Sequence, residues 1–128
     1  MPEERLILVE LNRKFAQNLR KHYPKATVIN GAAEALSHLQ LKQADMAISG
    51  LPLLSIRDRQ VEAILQGVFD VLQPEGVLVQ FTYGHRCPVK DNILERQGLE
   101  AQRRSFVLNN FPPASVYHIR KRRHQQMV

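Results

Sequence analysis

Two short segments carry the residue types best suited to chemistry. Ser49-Gly50-Leu51-Pro52-Leu53-Leu54 follows the run Ala44-Asp45-Met46-Ala47-Ile48, and Gln80-Phe81-Thr82-Tyr83-Gly84 continues Val77-Leu78-Val79. Each reads as a strand that runs out into a polar or proline-bearing turn. In open α/β sheets, ligands bind beyond the carboxyl ends of parallel strands, where the loops are free to carry function. Proline fixes its own φ and pushes the residue before it, here Leu51, toward an extended backbone. The first turn is therefore expected to be rigid, as the wall of a site must be. Glu10 closes a third strand-like run, Leu6–Glu10. An acidic residue at such a strand end accepts hydrogen bonds from ribose hydroxyls in nucleotide-binding folds. The same carboxylate would also sit favourably near the N-terminus of a following helix.

The elements that must position these residues alternate between strand and helix, the pattern of an α/β sheet. Leu6–Glu10 reads as a short buried strand. An amphipathic helix follows over Arg13–His22, with Phe15, Ala16 and Leu19 inward, and Tyr23-Pro24 ends it. Ala26–Asn30 predicts a second strand, Ala32–Leu39 a second helix and Ala44–Ile48 a third strand. Val61, Ile64, Leu65, Val68, Phe69 and Leu72 mark one face of a helix. Pro74-Glu75-Gly76 is expected to stop that helix and turn into the strand Val77–Thr82, and Asn92–Gln97 reads as a weaker helix. The last third changes character: Gln102–Leu108 and Ser115–Ile119 read as strands joined by Asn109-Asn110-Phe111-Pro112-Pro113. So short a link allows an antiparallel pair but no helical crossover.

Composition bounds the rest. The chain has 128 residues, the size of one domain with a real core. No run is long and apolar enough for a membrane-spanning helix, and Met1-Pro2-Glu3-Glu4-Arg5 has no secretory pattern. The single cysteine, Cys87, excludes an internal disulfide and fits a reducing cytoplasm. The net charge of +6 is terminal in origin, because Arg103, Arg104, Arg120, Lys121, Arg122 and Arg123 face no Asp or Glu beyond residue 100. Residues 121–128 read as a basic tail on a domain spanning 1–120. The tail would suit an anionic membrane surface or nucleic acid, or be a solvated end.

Ser49–Leu54, Gln80–Gly84 and Asn110-Phe111-Pro112-Pro113-Ala114-Ser115-Val116-Tyr117 together resemble the bacterial phospholipid N-methyltransferases, related in fold to the rRNA adenine dimethylases. The resemblance runs from about Arg5 to Arg120. It implies a class I, Rossmann-like methyltransferase sheet, mostly parallel with a C-terminal antiparallel hairpin. It also implies S-adenosylmethionine as methyl donor, phosphatidylethanolamine head groups as acceptor, and peripheral contact with the inner face of the membrane.

The resemblance assigns residues as well. Glu10 would hold the ribose and Leu11 pack beside the adenine, while Ala32-Ala33 falls where the family has an acidic residue before alanine. Ser49-Gly50-Leu51-Pro52 takes the place of the Asn-x-Pro-aromatic motif that holds a target amine. Ser49 would serve both cofactor and acceptor, and Leu53 would stand for the aromatic that stacks on a flipped base. An aliphatic rim at Leu53 favours a lipid amine over a nucleobase, so nucleic acid is not the expected partner. Tyr83 would line the acceptor pocket, its ring facing a methylated cation. The alternative for each is an ordinary strand exit or packing role.

The chain also departs from the family. Its six glycines are scattered, with no Gly-x-Gly, and Leu6–Glu10 aligns with the family's second strand. The first strand and its glycine-rich loop have no counterpart, although that strand lies mid-sheet, between those equivalent to Leu6–Glu10 and Ala44–Ile48. An unfilled central position leaves two rows of unpaired backbone groups. The expectation is that these strands pair directly, that another chain such as a second copy in a homodimer fills the gap, or that the isolated chain is only marginally folded. Direct closure or an incomplete gene product is favoured. A non-catalytic remnant or partner-binding domain of methyltransferase fold, and an RNA adenine N-methyltransferase, are the alternative readings. No metal site is expected, since one cysteine and five histidines lack ligand spacing. Cys87 has no activating neighbours in sequence and is not expected to be a nucleophile.

Overall fold

The computed structural model describes residues 3–10, 13–30, 44–83, 86–107 and 114–122, without the side chains of 3, 15, 30, 83, 105–107 and 114. The predicted helix over 32–39 and the link over 109–113 lie outside the described residues, as does the tail from 123 onward. The elements are β1 (Leu6–Glu10), α1 (Arg13–His22), β2 (Thr27–Asn30), β3 (Ala44–Ser49), α2 (Asp58–Val71), β4 (Leu72–Tyr83), α3 (Asp91–Gln97), β5 (Leu99–Val107) and β6 (Ala114–Lys121).

They build one six-stranded sheet in the order β2-β1-β3-β4-β6-β5. The first four strands are parallel. β6 runs antiparallel to both β4 and β5. This is the expected mostly parallel sheet with a reversed C-terminal hairpin.

β1 pairs directly with β3 from Leu6↔Met46 to Val9↔Ser49, and Gly50 N–H extends the ladder by donating to the Val9 carbonyl at 3.4 Å. Of the expectations for the missing strand, direct closure is what the sheet shows.

One face of the sheet carries the core. Ile7 and Val9 of β1, Ala47 of β3, Leu78 of β4, Ile119 of β6 and Leu99 of β5 join Val61, Ile64, Leu65 and Val68 of α2 and Ile93 and Leu94 of α3 in one buried cluster. The six apolar positions predicted for the helical face are all buried, with Leu72 one residue past the helix, at the start of β4. Asp58 lies in the first turn of α2, where the helix dipole favours a carboxylate. Lys90 and Arg96 tie α3 back to α2 through Asp58 at 2.9 Å and Glu62 at 2.7 Å.

Two breaks in regularity have clear causes. Pro74-Glu75-Gly76 does not form a separate turn before the strand; it is an irregular stretch inside β4. The register there jumps from Ala44↔Leu72 to Met46↔Val77. Proline cannot donate to a ladder, and a Cβ on Gly76 would sit 2.9 Å from the Gln73 carbonyl oxygen, so the chain bends at the one residue without that atom. At the end of α3, Gly98 takes φ 65° and its N–H donates to the Glu95 carbonyl, the left-handed cap that glycine supplies without side-chain strain.

Candidate active site at the strand ends

β1, β3 and β4 are parallel, so Glu10, Ser49 and the residues after Gln80 emerge at the same edge of the sheet. Val9, Ser49, Gln80 and Tyr117 are consecutive partners across β1, β3, β4 and β6, which puts a polar row on the buried face. Ser49 is 3% exposed and Gln80 is fully buried.

The turn after β3 is held from inside. Ser49 Oγ accepts from Leu51 N–H at 3.2 Å. The Gln80 Nε2 donates to the Leu51 carbonyl at 2.8 Å and to the Phe81 carbonyl at 3.0 Å. One side-chain amide thus links the two strand exits that sequence singled out. Its Oε1 is buried and has no hydrogen-bond partner among the described residues. Pro52 adds a 3-10 turn over Leu53–Ser55, closed by Ser55 N–H to the Pro52 carbonyl at 2.9 Å.

Gln80 belongs to the strand-end motif, but the sequence alone assigns it no site role. The available signal was a carboxamide directly after Val77-Leu78-Val79 in a strand buried on both faces, because a buried amide must find partners.

The remaining assignments fare unequally. Leu53 is 3% exposed and belongs to the core, so it does not rim an open acceptor site; the side chain that the short 3-10 turn leaves outside is Leu54, 43% exposed. Leu51 is likewise a core residue, whereas Gly50 and Pro52 are exposed. Ser49 Oγ and the Leu51 carbonyl, expected to accept from a substrate amine, both accept from donors within the turn and its neighbour. Tyr83 ends β4 opposite Ala114, which puts its backbone at the expected edge; its side chain lies outside the described residues. Leu11, Ala32 and Ala33 are also outside them.

Cys87 is half-buried, and burial pushes its thiol above the ordinary value, with Asp91 adding to the rise and a backbone contact at Val89 opposing it. A thiol held protonated is a poor nucleophile. Among the described residues there is no cluster of metal-ligating side chains.

The geometry bears directly on the cofactor that the resemblance implies. β1 and β3 are adjacent, hence about 4.8 Å apart, where the family has a further strand between them. The Glu10 carboxylate lies over that junction, its Oε2 3.4 Å from where a Cβ on Gly50 would stand. Among the described residues, only Glu10 and Ser49 stand at positions that the resemblance assigns to the cofactor, and two contacts do not by themselves make a cradle for it.

No family model matches the sequence. Among curated proteins, the ornithine lipid N-methyltransferase of Singulisphaera acidiphila is 28% identical over 126 residues, covering 93% of this chain and 64% of that protein. This chain thus spans less than two thirds of its relative's length.

Two solved structures are similar in fold. A TehB-like SAM-dependent methyltransferase from Corynebacterium glutamicum superposes with a TM-score of 0.60 at 15% identity, over 95% of this chain and 83% of that one. Precorrin-6y C5,15-methyltransferase from Geobacter metallireducens gives 0.58 at 19% identity, over 92% and 67%. The chain has the Rossmann-like fold of the class I S-adenosylmethionine-dependent methyltransferases, with β1 and β3 joined directly.

Proposed function

We propose that this chain is the acceptor side of a methyltransferase that transfers a methyl group from S-adenosylmethionine to a lipid amine, with the cofactor held by residues other than those described. The observation that carries this reading is the locked Ser49–Pro52 turn. It stands at the carboxyl end of a central parallel strand and is bound through Gln80 to the next strand exit. The likeness over 93% of the chain to an ornithine lipid N-methyltransferase supports an acceptor with a lipid-borne amine. The head groups of phosphatidylethanolamine and ornithine lipid are both candidates.

In this reading the chain's own contribution is positional. Pre-set backbone geometry lowers the entropic part of a displacement barrier without a dedicated base. The Gln80 bridge keeps the two strand exits in fixed relation, and the exposed Gly50 backbone offers the approach closest to the edge.

The β1–β3 junction favours a second reading, a non-catalytic remnant that keeps the acceptor side and has lost the cofactor crevice. Expression in a bacterium whose lipids lack methylated amines separates the two. Mass spectrometry of extracted lipids should show a methyl added to phosphatidylethanolamine or to ornithine lipid. Unchanged lipids, with the chain folded and abundant, would leave the remnant reading. Methylated RNA with unchanged lipids would replace the lipid amine by a nucleobase.

A further inference from the structure

On the sheet face opposite the core, the β5–β6 hairpin forms a cavity of about 190 Å³ lined by Glu100, Ala101, Gln102, Arg104, His118 and Arg120. Its construction is specific. Gln102 pairs with His118 and Glu100 with Arg120, and the register slips between Arg103 and Ser105, so that Arg104 is the extra residue of a bulge. Bulges re-aim side chains. Here the slip brings Arg104 to the side of Gln102, whose Oε1 accepts from Arg104 Nη1 at 3.2 Å. Burial first, then Arg104 and Arg120, pushes the His118 imidazole below its ordinary value, as expected where both guanidiniums face the same space. Neither arginine forms an ion pair among the described residues.

The same face continues into an apolar strip. Val79 pairs with His118 and Phe81 with Val116, and same-side residues along β6 recur about every 7 Å. Phe81 is 47% exposed, an unusual cost for a ring in the middle of a sheet. Lys121 and Arg103, opposite Leu99 and Tyr117, alternate to the core face, and Arg122 Nε donates to the Leu99 carbonyl at 3.2 Å. On the cavity face the two strands carry Arg104 and Arg120 beside His118 against a single carboxylate, Glu100.

We propose that this hairpin face docks on an anionic lipid bilayer, with the Arg104–Arg120 cavity receiving a head-group phosphate and Phe81 entering the interface beside it. The guanidinium fork matches phosphate oxygens in a way that an ammonium does not. The cations gather at one cavity beside one aromatic side chain, whereas a nucleic-acid track calls for successive stacking platforms along a charged groove. The site is separate from the strand-end turn and does not depend on methyl transfer.

Flotation of the whole chain with vesicles of phosphatidylglycerol in phosphatidylcholine, at low salt, tests it. Replacing both cations (R104Q/R120Q) should lower partitioning by at least about tenfold. Removing the same charge from exposed Arg57 and Arg59 (R57Q/R59Q) should lower it by less than about twofold. R104K/R120K keeps the charge and should restore only part of the binding. F81S should weaken the fraction that survives raised salt. Equal losses in the two glutamine pairs, or full binding by the lysine pair, would reduce the cavity to general surface charge and overturn the proposal. RNA binding that depends on Arg104 and Arg120 while vesicles go unbound would also overturn it.

Discussion

The sheet divides at β4 into halves that meet different demands. Toward β6 and β5 the strands are antiparallel, long and covered on one face by α2 and α3, and the core closes around Leu65, Leu78, Leu99 and Ile119. Toward β3 and β1 they are parallel and short, and their ends carry the residues with chemical potential. The core face of the first half is packed against α2 and α3. The second half, in the fold it shares with methyltransferases, needs a crevice as well, yet β1 and β3 lie side by side.

The contrast teaches that a parallel sheet can close without the strand that the resemblance places inside it. Parallel strands buried on both faces are near-continuous apolar runs, and Leu-Ile-Leu-Val-Glu meets Ala-Asp-Met-Ala-Ile-Ser with Ile7 against Ala47 and Leu8 against Ile48. Backbone pairing and burial are satisfied by almost any apolar neighbour. A cofactor crevice depends on which neighbour it is.

The largest expected effect tests that junction. Calorimetry of the chain with S-adenosylmethionine should show binding far weaker than micromolar, a loss of about 4 kcal/mol if the dissociation constant is millimolar. A micromolar dissociation constant would break the comparison, since a closed junction would then be no obstacle.

Next is the difference in packing. Leu65→Ala, in the complete half, should cost about 2–5 kcal/mol in denaturant unfolding. Ile48→Ala, half-buried at the junction, should cost roughly half as much on the scale of apolar area lost. Equal costs would mean that the two halves are packed alike.

Gln80 lies on the boundary between them. Gln80→Leu keeps the volume but leaves the Leu51 and Phe81 carbonyls without this donor. A loss of about 1–3 kcal/mol is expected, together with faster amide exchange across Leu51–Ser55. A stability loss with no change in exchange there would show that the amide does not fix the turn.

Gly98→Ala should cost about 1 kcal/mol through backbone conformation alone, because a Cβ there meets nothing within 4 Å. A larger loss would point to contacts that the open space does not provide.

The smallest effect is at His118. Its imidazole should titrate below 6.5 by NMR, since burial and then Arg104 and Arg120 disfavour its protonated form. The unfolded chain then takes up the proton first as pH falls. His118 accordingly contributes stability above the unfolded-state value that is lost on acidification through the window below about 6.5. In R104Q/R120Q the midpoint should move back up.

Much of this molecule could be read in one dimension. The helical face of α2 repeats at the helical period, the strands are apolar runs bounded by proline and glycine, and the short link before Ala114 forces an antiparallel return. Local periodicity and turn chemistry determine such features, so the alternation of elements and the strand exits at Ser49 and Gln80 were visible before any fold was known.

Tertiary structure alone decided the rest. Periodicity marks Leu53 and Leu54 equally, and only the 3-10 turn after Pro52 sends one into the core and leaves the other outside. Gln80 and Leu51 are 29 residues apart, and their hydrogen bond exists because β3 and β4 are neighbours. The choice between an open gap and a β1–β3 ladder could be listed but not resolved, because apolar parallel strands carry little that names their partner. Hydrophobic pattern specifies which side of a strand is buried; which strand lies beside it is settled by the energy of the whole sheet.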